Sequence, residues 1–228
     1  MIECIVQNAG DAKDAEKHGV TRLELVSAIQ LGGLTPTYGT VKTVIDSVQI
    51  PVQVMIRPHS YGFVYRSEDK EVMKKDISLL NEMGHHRIVI GALKENKTID
   101  TDFLDELFEE FPSLDITFHR AFDEVRDQTE AYEALTAYSK NIKRILTSGG
   151  ANTCLEGKES LDRLVQLQHK LQGPRILPGS GLKPDNIQTL HAAVQAGEYH
   201  FGSGVRKNES FEERIEKNKV DDIRNILI

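Results

Sequence analysis

Glu24, Arg57, His119, Ser148 and His200 each stand at or just past the carboxyl end of a short apolar run. Within each run the apolar residues share one parity and these polar residues take the other. A strand shows alternate residues to opposite faces, so all of them belong to one face of their strands. Glu24 is suited to act as a base, His119 as an acid or second base, and Arg57 as an anion ligand. His200 and Ser148 add further donors and acceptors. Two readings fit this pattern. The residues form a binding site, or they form a buried polar network that satisfies itself. Glu3 has the same parity but lies near its strand start, where it would pair with a cation.

His119-Arg120-Ala121-Phe122-Asp123 is a compact run of chemistry-bearing residues. Arg120 would join Arg57 on an anion. Asp123 is either a third member of the acid–base set or the cap of a structural turn. Glycine-rich turns close the late strands: Ser148-Gly149-Gly150, Gly179-Ser180-Gly181 and Gly202-Ser203-Gly204. Glycine lets backbone N–H groups approach a ligand closely. With the two arginines, Ser148, Gly149, Gly179, Ser180, Gly181, His200 and Ser203 become candidates for holding a small phosphate or carboxylate. Tight β–α turns explain the same glycines without a ligand.

Other candidates are weaker. His85 and His86 are neighbours at a strand start and read as surface residues. Cys4 shares the parity of Ile2 and Val6 and faces away from the site, whereas Cys154 would border it. Among four Met and two Cys no cluster marks a copper(I) site. No lysine falls on the interior parity at a strand end, which argues against Schiff-base chemistry.

The elements that must position these residues alternate. Strands read at 2–6, 22–25, 52–56, 87–90, 115–118, 143–146, 175–177 and 199–201. Helices read at 10–18, 38–47, 67–83, 102–110, 129–138, 159–171 and 184–193, with a last one within 211–227. Ser67 before Glu68 and Asp69 suits a helix N-cap. Pro184 suits a first helical position, and Gly19, Gly84 and Gly197 suit C-terminal caps. Eight β–α units in 228 residues predict a closed parallel (β/α)8 TIM barrel forming one domain over residues 1–228. An open doubly wound sheet would carry a glycine fingerprint after its first strand; this chain has Gln7-Asn8-Ala9-Gly10 there.

A net charge of −7 without a basic run argues against nucleic acid or anionic membrane as partner. No stretch reaches the roughly 20 apolar residues of a membrane span. The opening MIECIVQNAG does not read as a leader, and two cysteines without C-x-x-C suit a reduced, cytoplasmic setting.

Taken together the motifs resemble the CutC family. The resemblance is carried by Leu23-Glu24-Leu25, Gly32-Gly33-Leu34-Thr35-Pro36 and Met55-Ile56-Arg57-Pro58. It continues in Thr117 through Asp123, Ile145 through Gly150, and Pro178-Gly179-Ser180-Gly181 with Asn186 beyond. It implies a cytoplasmic barrel, often a homo-oligomer, named for copper homeostasis. Members often carry Cys where this chain has Ile5 and Val26, the positions proposed for copper. The strand-eight pattern also departs, reading His200-Phe201-Gly202-Ser203 where members tend to read H-x-S. The resemblance thus implies a copper-homeostasis protein, with copper as the cofactor its name suggests. The residues themselves point to an enzyme, an isomerase, lyase or hydrolase acting on a small anionic or phosphorylated substrate. A barrel filled by its own side chains is the third possibility.

Overall fold

The computed structural model describes residues 1–227. Eight parallel strands alternate with eight helices: β1 (Ile2–Val6), α1 (Ala9–Lys17), β2 (Arg22–Leu25), α2 (Tyr38–Ile45), β3 (Val52–Met55), α3 (Ser67–Glu82), β4 (Arg87–Ile90), α4 (Thr101–Glu110), β5 (Asp115–Phe118), α5 (Gln128–Thr136), β6 (Ile142–Thr147), α6 (Lys158–Leu171), β7 (Arg175–Pro178), α7 (Pro184–Val194), β8 (Tyr199–Phe201) and α8 (Lys217–Ile226). The sheet runs β7-β6-β5-β4-β3-β2-β1-β8. A single bridge, Gly179 to His200, joins β7 to β8 and completes the (β/α)8 barrel.

Strand parity sorts the side chains into two interiors. Cys4, Leu23, Leu25, Val54, Ile56, Ile116, Phe118, Ile145 and Phe201 point outward and are buried with the inner helix faces in the main hydrophobic core. Fully burying each such side chain is worth roughly 1.5–3 kcal/mol. The inward parity is polar: Glu3, Arg22, Glu24, Gln53, Thr117, Arg144 and His200 are all buried. A second, small apolar cluster of Val26, Met55 and Val89, with Ile5 and Ile29 against it, also belongs to the inward parity.

The inward charges are paired. Arg22 bonds both Glu3 and Glu198, the second at 2.5 Å, and Glu198 also pairs with Arg175. Arg144 pairs with Asp115 and donates from Nε to Thr117 Oγ1 at 3.0 Å. The cation expected for Glu3 is therefore Arg22.

Several local expectations are corrected. Ser67 is the first residue of α3; Arg66 caps it, with its backbone N–H donating to Asp69 at 3.0 Å. Gly19 and Gly84 take left-handed backbones after their helices, but after α7 Gln195 takes that role instead of Gly197. The Gly197 carbonyl instead accepts from the amino terminus at 2.9 Å. His85 is buried, with its ring Nε2 3.0 Å from the Arg87 carbonyl, and only His86 is partly exposed. A five-residue 3-10 helix, Arg120–Glu124, follows β5.

Candidate functional site

At the carboxyl ends of the strands lies a cavity of about 510 Å³. Glu24, Arg57, His119, Arg120, Gly179, Ser180, Gly181, His200 and Ser203 all line it, as their sequence positions suggested. Ile5, Met55, Phe63, Leu146 and Phe211 supply apolar walls.

His119 sits immediately after β5 and begins the 3-10 helix. Its Nδ1 accepts the Ala121 N–H at 3.1 Å, which places the ring proton on Nε2. That Nε2 is buried without a partner. Burial, and then the neighbouring Arg57 guanidinium, push the imidazole down to about 3, so the ring is neutral near pH 7. Its space depends on the end of β4: a Cβ on Gly91 would stand 2.5 Å from His119 Nδ1. Phe63 packs against the ring at 4.8 Å.

Arg57 follows β3 and reaches back under the β2–α2 loop. Nη1 donates to the Leu31 and Gly33 carbonyls at 3.2 Å each. The guanidinium carbon lies 4.8 Å from the Phe63 ring centroid. Its Nε is buried and unpartnered. Among the described residues no carboxylate lies within ion-pair distance of Arg57, although only 7% of it is exposed. Buried charges ordinarily have a counter-charge.

Glu24 projects from the middle of β2 into the deep end of the cavity. Its Oε1 is buried without a partner, and its Oε2 lies 3.7 Å from His200 Nε2. The other ring nitrogen of His200, Nδ1, is 2.7 Å from Glu3. Burial drives the Glu24 carboxyl up to about 7, against the pull of His200. Burial works the same way on Glu3, but Arg22 and His200 overcome it and hold that carboxyl near 2. His200 is itself raised, burial being outweighed by the two carboxylates. Glu24 and His200 are thus both raised, above a Glu3 that Arg22 and His200 hold ionised.

Asp123, Ser148 and Gly149 do not line the cavity. Asp123 Oδ1 accepts from Thr147 Oγ1 at 2.5 Å and from the Ser148 and Gly150 N–H groups at 3.1 Å each; Oδ2 pairs with Arg120 Nε at 2.7 Å. Both carboxylate oxygens are thus committed to holding the strand-six turn, as a cap does. Ser148 Oγ lies 3.0 Å from both Arg120 Nη2 and Asp123 Oδ2, which ties it to the same staple. Gly149 has a φ of +77°, and a Cβ there would meet the Gly157 carbonyl at 2.5 Å. Its glycine serves chain packing. Arg120, held by this staple, keeps a 42% exposed side chain at the cavity wall. Phe63 and Phe211 were not legible as lining residues, because both lie on loops without a periodic pattern.

The donor set does not fit copper(I). Cys4 faces the helix layer, and Cys154 is sealed beneath the surface and absent from the cavity wall. Burial raises both thiols, that of Cys154 to about 12, which opposes thiolate formation. Ile5 and Val26 sit together in the small apolar cluster with Met55. Both His200 nitrogens face carboxylates. Among the described residues no group of three or more His, Cys, Asp or Glu could hold a metal ion.

Fold and site together define a (β/α)8 barrel with a cavity at the strand carboxyl ends, lined by Glu24, His119, His200 and two arginines. Residues 1–205 match the CutC family model, and the chain belongs to the CutC family. A CutC family protein of Histophilus somni is 36% identical over 210 residues, covering 92% of this chain and 84% of that one. A human relative named copper homeostasis protein cutC homolog is 38% identical over 201 residues, covering 88% of this chain and 72% of that one. The crystal structure of a Streptococcus agalactiae CutC superposes with a TM-score of 0.80 at 28% identity, covering 89% of this chain and 97% of that one. A phosphoribosylanthranilate isomerase of Thermotoga maritima superposes at 0.63 with 12% identity over 99% and 97% of the two chains, a likeness of fold alone. No helix of the described residues is long and apolar enough to cross a membrane.

Proposed function

We propose that the pocket binds a small organic anion through Arg57, and that any part this chain plays in copper homeostasis runs through that ligand and not through a copper ion held by the protein. The observation that carries this reading is Arg57 itself, a buried guanidinium with a free Nε and no carboxylate beside it. An anion seated there would complete its bonding and its charge balance. Lys183, which also lines the cavity, is already paired with Glu209 at 2.9 Å. Two free, buried thiols support a reducing, cytoplasmic setting.

A second reading, proton transfer on the bound anion, is favoured by the pair of perturbed groups on opposite walls. A carboxyl near 7 is balanced between acid and base at working pH. A neutral imidazole with Nε2–H toward the cavity donates a hydrogen bond without giving up its proton, as it would to a developing oxyanion.

A thermal-shift and calorimetric survey of small carboxylates and phosphates tests the first reading. Ligand at about 100 times its Kd stabilises the fold by about 2.7 kcal/mol. Arg57→Met is expected to abolish that stabilisation. An unchanged response in this variant would refute the assignment. A copper(I) titration against a competing chelator is expected to give no binding tighter than micromolar; tight binding would place copper at the protein after all.

A further inference from the structure

The unpartnered atoms of the cavity are of two opposite kinds. Arg57 Nε and His119 Nε2 are donors that lack acceptors. Glu24 lines the cavity, and its Oε1 is an acceptor that lacks a donor. A ligand that met only Arg57 would leave Glu24 Oε1 buried and unsatisfied, which is costly.

Charge decides what the second group of the ligand is. Beneath the cavity Glu3 and Glu198 are matched by Arg22 and Arg175. Glu24 faces His200, Oε2 to Nε2 at 3.7 Å, so that carboxyl has its own counter-group within the cavity. Arg120 is matched by Asp123. Lys183 is matched by Glu209. Among the described residues that line the cavity, Arg57 is the charge without a counter-charge. A ligand with a single net negative charge balances it. A zwitterion, with an ammonium on Glu24, would leave the cavity as cationic as before. A neutral hydroxyl supplies the hydrogen that Glu24 Oε1 lacks at no change of charge.

We infer that the ligand is a hydroxylated monoanion, its anionic group on Arg57 and His119 and its hydroxyl on Glu24, with the carbon chain between them against Ile5 and Met55. This rests on the anion reading above and adds the second group.

The test uses matched straight-chain acids of four to six carbons: the parent carboxylate, its hydroxy acids at each position, and the terminal amino acid. Affinities are measured by calorimetry and ligand-observed NMR on the full chain near pH 7. At least one hydroxy acid is expected to bind about tenfold more tightly than its parent, and more tightly than the amino acid. In Glu24→Leu the ratio of hydroxy-acid to parent affinity is expected to fall to about one. Should Glu24→Leu fail to fold, the comparison on the unaltered chain decides by itself. Equal binding of parent and hydroxy acids would overturn the inference and leave the anion reading standing, as would preference for the amino acid. Failure of every acid to bind, at millimolar concentration, would overturn both.

Discussion

His119 makes the fold's acid stability measurable at one residue. Its imidazole is held near 3 in the native barrel, against 6.5 for the free side chain. Between those values the unfolded chain takes up a proton that the native state refuses. The stability that His119 contributes is therefore complete above pH 6.5 and drains away as pH falls toward 3. Each pH unit in that window is worth about 1.4 kcal/mol, so from 6.5 down to 5 the native state loses about 2 kcal/mol through this ring. His119→Asn keeps a side-chain acceptor for the Ala121 N–H and removes the titration. Urea unfolding of both proteins at pH 7 and pH 5 gives the comparison. The variant is expected to lose about 2 kcal/mol less than the parent between the two conditions, whatever its stability at pH 7. At a denaturant slope of about 2 kcal/mol per molar, that is a midpoint difference of about 1 M. Parallel losses in both proteins would show that the ring is not held neutral. The account of Nε2 as a proton-bearing donor would then fall with it.

Glu3→Gln strips Arg22 and His200 of their shared counter-charge in a sealed layer; it is expected to cost about 3–5 kcal/mol in denaturant melts at neutral pH. Gly157→Ala would drive a Cβ to 1.9 Å from the Ser148 carbonyl. A loss of at least about 2 kcal/mol is expected, and wild-type stability would show that the turn after β6 can shift freely. Neither Cys4 nor Cys154 is expected to react with a thiol-labelling reagent until the chain unfolds, since both side chains have no exposed surface; labelling at native rates would contradict the sealed placement of Cys154.

The barrel was legible because its signals are local. Period-two alternation in runs such as Leu23-Glu24-Leu25 and Ile116-Thr117-Phe118 fixes both the strand and the inward residue. The same rule brought Glu24, Arg57, His119 and His200 to one cavity. It could not separate Ser148 from the wall residues, because Ser148 follows β6 on the inward parity yet is held by Asp123, which the 3-10 helix after β5 positions. Short i→i+3 turns leave no apolar period to read. Phe63 escaped for a related reason: a loop side chain is placed by what it packs on, here the Arg57 guanidinium and the His119 ring. His85 misled because its exposure depends on the neighbouring carbonyl of Arg87 and not on its position at a strand start.

The single bridge between β7 and β8 has a mechanical consequence. Every other neighbouring pair of strands is held by a ladder, so the barrel wall has one seam, and the seam reaches the cavity at Gly179 and His200. The turns on either side of it, Gly179 to Gly181 and Gly202 to Gly204, are cavity wall. A ligand resting on both turns would act as a rivet across that join. Amide protons of β7 and β8 would then exchange more slowly in its presence, while those of β3 and β4, on the opposite side of the ring, would hardly notice it.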